Sequence, residues 1–387
     1  MFETTSYFPS LTTRAGELSA YDQCYAPVKD ALIPIFTLTR NADTESLVDS
    51  AAALVAALDG RSAIVDFDPR PRKVTSLAEA AEKRRRANLR RAQSGQREGR
   101  PRSEKELAND AERLRRTEAF NESLTSLTEP SRGPFRWLEL VGTFPELVPI
   151  LRIVDAPTLR RQLEQTSLAG RPAAIRIRVS EGSEAAMVMQ CADLIGPSAA
   201  SLVLIIDAGN IWARVDSAVA DVKSILLGLR AAIGEGFEDL TTVVLSTGFP
   251  RQPLRTLPAI LPISDLTLHR RIAEDFDIRL GDYGSLPNRT EDTPARGWFP
   301  HVDLVTPDDW HISLFENNRD PKKYIDASRV IANKTEWAER AQCWGASVIE
   351  QVSRGVQIID GKSFTHPAAW LTVRVNQHLS QMARRRR

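Results

Sequence analysis

Cysteine and histidine are scarce in this chain of 387 residues. Its three cysteines, Cys24, Cys191 and Cys343, lie far apart, and its five histidines form no HxH or HExxH pair. These spacings argue against a zinc site and against a disulfide framework, and they favour ordinary buried thiols in a reducing cytoplasm. We therefore assign no metal ligands, and the sequence identifies no cofactor.

Long apolar runs and a strong net charge are also missing. No run reaches the roughly 20 residues that a membrane span needs, and the start MFETTSYFPS lacks the basic and apolar segments of a signal peptide. The 51 Lys and Arg nearly balance the 50 Asp and Glu. The net charge of the whole chain therefore does not predict binding to nucleic acid or to an acidic membrane. We expect a cytoplasmic protein without membrane association.

What the chain does contain is a repeated unit. A short apolar run ends on a polar residue and is followed by helical spacing, in YFPSLTT, LIPIFTLTR, SAIVDFDP, LVPILRIVD, AAIRIRVS, SLVLIIDAG, TTVVLSTGFP and DIRLGDYGS. Continuous apolar runs are typical of parallel strands covered on both faces. Eight such units predict an α/β fold, a single (β/α)8 TIM-like barrel, with a doubly wound open α/β sheet as the alternative. No GxGxxG or GxxxxGK[ST] follows any run.

Two segments interrupt this repeat within what we predict to be one domain, residues 1–387. Residues 70–134 read as a basic helical insertion between the third and fourth units, with a capping box from Ser103 to Glu106 and a flexible stretch from Ser94 to Pro101. Residues 316–387 read as C-terminal helices packing on the barrel, preceded by a strand pair. The stretch from Tyr324 to Gly355 is expected to be one long helix.

The insertion concentrates positive charge. Lys83 to Arg116 holds thirteen basic and five acidic residues, a net of eight positive charges. One interpretation is a solvated helical arm; the other is a contact for an acidic partner or for non-specific nucleic acid. The nucleic-acid-binding candidates are Arg84, Arg85, Arg86, Arg90 and Arg91.

Charged residues at the strand ends are the candidate site, because the carboxyl ends of barrel strands build the functional rim. The catalytic candidates are Asp66, Asp207 and Asp282, and the ligand-binding candidates are Arg14, Glu17, Arg176 and Arg178. These groups can form a structural network of ion pairs, an anion or phosphate site, or a metal-dependent hydrolase. The residues alone leave all three open.

Several motifs carry a family resemblance that covers nearly the whole chain outside the insertion. They are the opening YFPSLTTRAGELSAYDQCYAPVKDALIPIFTLTR, then LVLIIDAG, TGFP at 247–250, GDYG at 281–284, Trp310, and Trp370, Arg374, Asn376 and His378 in a W-x-x-x-R-x-N-x-H pattern. In their order they resemble the Beta protein family of phages and bacterial mobile elements.

The resemblance implies a component of a phage or mobile-element defence module, associated with toxins, that acts through a protein partner encoded nearby. It adds Tyr283, Arg374, Asn376 and His378 to the ligand-binding candidates. The alternative function is a TIM-barrel hydrolase, or an enzyme that binds a phosphate-bearing ligand through the rim Asp and Arg residues. Whether the chain is an enzyme stays open.

Overall fold

The computed structural model describes residues 5–41, 43–94, 103–250, 259–287, 299–315 and 320–385. Within these ranges the strands are β1 (Tyr7–Thr12), β2 (Ile35–Leu38), β3 (Ala63–Phe67), β4 (Leu147–Leu151), β5 (Ala173–Arg178), β6 (Leu202–Asn210), β7 (Thr241–Thr247), β8 (Ile260–Pro262), β9 (Arg279–Asp282), β10 (His301–Val305), β11 (Asp309–Leu314), β12 (Ile358–Ile359) and β13 (Lys362–Ser363).

Eight parallel strands close into a barrel in the order β1-β2-β3-β4-β5-β6-β7-β9, and β9 pairs with both β7 and β1. Each of the eight apolar runs forms one of these strands. The predicted (β/α)8 TIM-like barrel is therefore confirmed, and the open-sheet alternative is wrong because β9 hydrogen-bonds to β1 and leaves no free edge.

The helices in the described residues are α1 (Ala15–Asp22), α2 (Ala26–Asp30), α3 (Leu47–Leu58), α4 (Leu77–Gln93), α5 (Glu104–Thr128), α6 (Gly133–Gly142), α7 (Ala156–Leu168), α8 (Gly182–Met189), α9 (Ala192–Ser198), α10 (Val215–Ile233), α11 (Ser264–Ala273), α12 (Lys323–Ala332), α13 (Trp344–Ser353) and α14 (Pro367–Ala383). The single long helix expected from Tyr324 to Gly355 is wrong. The chain forms α12 and α13 instead, and Cys343 starts a new helix by accepting a hydrogen bond from the Ala346 amide.

The barrel interior changes from apolar to polar along each strand. Inward side chains at the amino-terminal half pack into one apolar cluster that includes Phe8, Ile35, Ile64, Val203 and Leu245. Because side chains alternate between the two faces of a strand, the inward positions two and four residues further on lie towards the carboxyl ends. Those positions carry the polar side chains that form the site described below.

The basic insertion leaves the barrel after β3 and returns before β4 as α4 and α5. The predicted capping box is present: the Ser103 hydroxyl accepts from the Glu106 amide, and the Glu106 carboxylate accepts from the Ser103 amide. Apolar anchors near the end of α5, namely Phe120, Leu124 and Leu127, are buried in the core. Residues 95–101 of the stretch predicted to be flexible lie outside the described residues.

The C-terminal part packs against the barrel wall. The predicted strand pair is confirmed as β10 and β11, which pair antiparallel and are joined by β8. The last helix, α14, packs against α1 and β10 and is buried on most of its faces from Trp370 to Met382. The division of the chain into one domain with an insertion remains a prediction.

Candidate ligand site at the barrel mouth

An open cavity of about 420 Å3 lies at the carboxyl ends of the barrel strands. The sequence-predicted residues that line it are Arg14, Glu17, Asp66, Arg176, Arg178, Asp207 and Tyr283. Ser10, Thr12, Thr37 and Thr39 complete the wall beside β1 and β2. The structure therefore brings these seven charged or polar candidates to one place, which we call the mouth.

Arg176, Asp207 and Tyr283 form a hydrogen-bonded triad in the mouth. Arg176 donates from Nη2 and Nε to Asp207 Oδ2 over 2.7 and 3.1 Å. The Tyr283 hydroxyl lies 2.8 Å from both Asp207 carboxylate oxygens and accepts from Arg176 Nη2 at 2.8 Å. The side chains of Arg176 and Asp207 are only 14% and 4% exposed, so the triad fixes all three groups in the wall.

Electrostatics keep Tyr283 neutral and Arg176 charged near neutral pH. Burial raises the pKa of Tyr283 well above its usual value, and the Asp207 charge adds to this effect. Burial alone would lower the pKa of Arg176, but Tyr283, Asp207 and Asp66 raise it. Tyr283 is therefore a neutral hydrogen-bond donor and Arg176 a permanent cation.

Further ion pairs surround the triad. Asp66 accepts from Arg152 Nη1 at 2.8 Å, and Arg178 Nε donates to Glu184 Oε1 at 3.0 Å. Sequence reasoning missed Arg152 and Glu184. Arg152 follows inward Ile150 by two residues, so strand alternation could have placed it, whereas Glu184 reaches the mouth from α8 and leaves no signal in the sequence.

The charges that line the mouth balance one another. Five cations and five carboxylates face the cavity: Arg14, Arg70, Arg152, Arg176 and Arg178, with Glu17, Asp66, Asp68, Glu184 and Asp207. Near the outer edge, Arg70 Nε and Nη2 donate to the two carboxylate oxygens of Asp68 at 2.8 and 2.9 Å. Burial alone would raise the pKa of Asp68, but Arg70 holds it below the usual value.

Glu17 and Arg14 connect the end of β1 to the first helix. The Glu17 carboxylate, 2% exposed, accepts from the Thr12 backbone amide at 2.7 Å. This bond ties the first turn of α1 to the last residue of β1. Arg14 precedes α1 as its N-cap residue and lines the mouth.

Asp282 does not face the mouth, contrary to the expectation that it opens there with Asp207. Its carboxylate accepts from the Tyr7 hydroxyl at 2.8 Å, lies 2.8 Å from His378 Nε2, and accepts from the Gly284 amide. The reason is the alternation of side chains: Tyr283, directly after β9, takes an inward position, so its neighbour Asp282 points outward towards α14.

The three candidate ligand-binding residues on α14 are likewise away from the mouth. Arg374 pairs with buried Asp303 at 3.1 Å, and Asn376 bonds the Gly345 amide and the Ala20 carbonyl. His378, fully buried, contacts Asp282. They were predicted to bind ligand, but their partners belong to the protein and join α14 to the barrel wall.

A second buried carboxylate lies near Asp282. Asp265, at the start of α11, accepts from the Ser246 hydroxyl at 2.5 Å and from the Gly248 amide. Burial, assisted by the Asp282 charge, raises the pKa of Asp265 to about 6. These groups stabilise the outer layer and are not reached from the mouth cavity, whose lining does not include them.

The predicted nucleic-acid-binding arginines lie on α4. Arg84 pairs with Asp110 at 3.3 Å, while Arg85 and Arg86 both pair with Glu82 and remain 75% and 70% exposed. Arg90 is exposed, and the side chain of Arg91 lies outside the described residues. The arm thus presents basic groups to solvent.

Within the described ranges, no group of three His, Cys, Asp or Glu side chains is arranged to hold a metal ion. None of the helices in those ranges has both the length and the apolar character needed to cross a membrane.

Comparison with known proteins places the fold and the site in context. The profile of the family described as Beta protein matches residues 7–384. A curated relative, "Protein beta" of Enterobacteria phage P4, is 25% identical over 268 residues, which cover 66% of this chain and 71% of the relative. No solved structure matches the chain at a significant level. Since the profile match runs from β1 to the end of α14, the chain belongs to the Beta protein family.

Proposed function

We propose that the mouth binds a small zwitterionic molecule, one that carries both an anionic group and a protonated amine. The observation that carries this proposal is the charge balance of the mouth combined with its open volume of about 420 Å3. Pockets for small molecules have volumes of roughly 300–1,000 Å3. A lining with equal numbers of cations and carboxylates offers a zwitterion partners of both signs, whereas a polyanion would meet five carboxylates.

Unused hydrogen-bonding atoms in the mouth support this ligand class. Arg176 bonds through Nε and Nη2, and its Nη1 makes no hydrogen bond to any described residue. Asp66 accepts through Oδ1 from Arg152 and from the Phe67 amide, and its Oδ2 accepts from no described group. Asp66 is close enough to raise the pKa of Arg176. One donor and one acceptor of opposite charge thus lie near each other at the cavity surface.

Filling the mouth should remove function without unfolding the barrel. Thr37 points into the cavity from β2 and is partly exposed, so Thr37→Phe places a ring in the open volume. We expect loss of protection in a phage-challenge assay, with a melting temperature within about 3 °C of wild type. Thr143→Phe, on the exposed end of α6, is the matched control. Full protection by a folded Thr37→Phe protein would contradict the proposed site.

We propose further that the chain acts in the cytoplasm as a component of a phage or mobile-element defence module, through a protein partner. Membership of the Beta protein family and the relative from phage P4 support a phage-related context. The arm supplies a surface for the partner, since Arg85, Arg86 and Arg90 remain exposed on α4. An acidic protein face suits this surface, and nucleic acid is the other ligand that its charge would attract.

The partner proposal is tested by shortening the arm. A Gly-Ser linker in place of residues 80–116 removes most of the basic charge but retains the anchors Phe120, Leu124 and Leu127. We expect the shortened, folded chain to lose co-purification with the protein encoded next to its gene. Oligonucleotide binding, if the arm provides it, should disappear in the shortened chain and fall steeply with salt in the full chain. Unchanged partner capture by the shortened chain would place the contact elsewhere.

A further inference from the structure

A second cavity, of about 610 Å3, lies between the insertion helices and the barrel rim. Its walls come from the segments that follow β1, β2 and β3 and from the facing sides of α4 and α5. Six cations and one carboxylate line it: Arg14, Arg40, Arg72, Lys73, Arg84 and Arg113, with Asp110. We call it the basic cavity. It differs from the mouth in its charge, although Arg14 borders both.

The single carboxylate of the basic cavity is already engaged. Asp110 pairs with Arg84 across 3.3 Å. The nearby carboxylates Glu45 and Glu112 bind Arg115, at 2.6 and 2.8 Å, and Arg115 is not part of the lining. Among the described residues, no carboxylate lies within ion-pair distance of Arg40, Lys73 or Arg113. Arg40, Lys73 and Arg113 are therefore three cations of the lining that no described carboxylate neutralises through an ion pair.

Arg40 lies among these positive charges, with one of its donor atoms unused within the described residues. Its Nη2 donates to the Arg113 backbone carbonyl at 3.3 Å, and its Nε is buried without a hydrogen-bond partner in the described part of the chain. Burial lowers the pKa of Arg40, and the positive charges of Arg113, Arg116 and Arg72 lower it further. Holding like charges together in a partly desolvated position costs free energy. Such an arrangement is expected where an anionic ligand supplies the missing charge.

We propose that the basic cavity binds a small polyanion with two or more phosphate groups. One phosphate carries at most two negative charges near neutral pH, fewer than the three positive charges of Arg40, Lys73 and Arg113. Guanidinium groups bind phosphate oxygens in pairs, so Arg40 and Arg113 are suited to neighbouring phosphates. Apolar side chains of Val74, Leu77 and Leu114 on the same walls offer a surface for a ring attached to the phosphates.

The shape of the site favours a small molecule over nucleic acid. Arg40, Lys73 and Arg113 converge in a concavity between the insertion helices and the barrel rim, and two exposed arginines of α4, Arg85 and Arg86, already pair with Glu82. A nucleic-acid duplex or an extended single strand would instead need a continuous, exposed row of unpaired cations along the protein surface. This inference does not depend on the proposed function of the mouth, and the two sites are tested with different ligands and variants.

Calorimetric titration of the full chain with ATP, inorganic tripolyphosphate, adenosine and a 20-nucleotide single strand tests the proposal. We expect ATP and tripolyphosphate to bind and adenosine not to bind. ATP binding more tightly than tripolyphosphate would indicate a nucleoside polyphosphate; equal affinities would indicate an inorganic polyphosphate, and either supports the site. Binding of neither probe at low ionic strength, or tight binding of the oligonucleotide alone, would overturn it.

Variants of residues that line the basic cavity provide the second part of the test. Arg40→Gln and Arg113→Gln should each weaken tripolyphosphate binding about 10- to 100-fold, the effect of losing a charged hydrogen bond. Lys105→Gln, on the exposed start of α5, removes the same charge outside the cavity and should change affinity less than about twofold. The unliganded Arg40→Gln protein should melt at or above the wild-type temperature. A lower melting temperature, or equal weakening by Lys105→Gln, would show that these cations are structural.

Discussion

Replacing Asp207 by alanine should lower the free energy of unfolding by about 3–5 kcal/mol. The variant leaves Arg176, 14% exposed, without its carboxylate in the barrel wall and removes two acceptors from Tyr283. Chemical denaturation of wild type and variant measures the difference. The effect is large because the variant leaves a buried charge without a partner. The free-energy cost of that unpaired charge exceeds what the intact ion pair contributes to stability.

Two control variants identify the cause of that loss. In the double variant Arg176→Met with Asp207→Leu no charge is stranded, so it should be more stable than Asp207→Ala alone. Asp68→Ala breaks a pair whose arginine, Arg70, is 52% exposed, and should cost at most about 1 kcal/mol. If the single and double variants at Arg176 and Asp207 were equally unstable, the ion pair would not be the source of the loss.

Replacing Arg374 by methionine should also cost about 3–5 kcal/mol, while leaving the mouth intact. Its partner Asp303 is 3% exposed, and Asp303 Oδ1 already lacks a hydrogen-bond partner among the described residues. The guanidinium also lies over the Phe249 ring, 4.4 Å from its centroid. Denaturant unfolding measures the loss, and ligand retention by the folded variant should equal that of wild type.

Arg384→Met is the matched control for Arg374→Met. It changes the same residue type just beyond the end of α14, where the side chain is exposed, and should shift stability by less than about 0.5 kcal/mol. If Arg374→Met kept wild-type stability but lost ligand, the helix residue would be a ligand group after all, as the family pattern suggested.

The barrel could be predicted from sequence because its signal is local and repeated. Eight apolar runs, each ending on a polar residue, identify eight strands, and the closure of a parallel (β/α)8 barrel brings their carboxyl ends together. Asp66, Arg176 and Asp207 could be placed in the mouth for the same reason. Asp282 was misplaced because it is adjacent to Tyr283, and a shift of one residue reverses the face of a strand.

Other parts of the site depend on contacts that no local pattern encodes. The α14 residues look like ligand groups in the sequence, but their roles are set by how the helix docks on β10 and on α1. The basic cavity requires α4 and α5 to fold back over the rim, so that Arg40 meets Arg113, which is 73 residues away in the chain. The sequence shows that the insertion is basic but does not show which of its charges remain unbalanced.

The mouth as a ligand site is tested most directly by what the protein retains from a cell. Wild type, Thr37→Phe and Thr143→Phe are incubated with the small-molecule fraction of a bacterial extract, repurified and denatured, and the released compounds are identified by mass spectrometry. We expect a zwitterionic compound, near one per chain, to be released from wild type and Thr143→Phe but not from Thr37→Phe. Release of the same compounds in the same amounts from all three proteins, or of none from any, would contradict it.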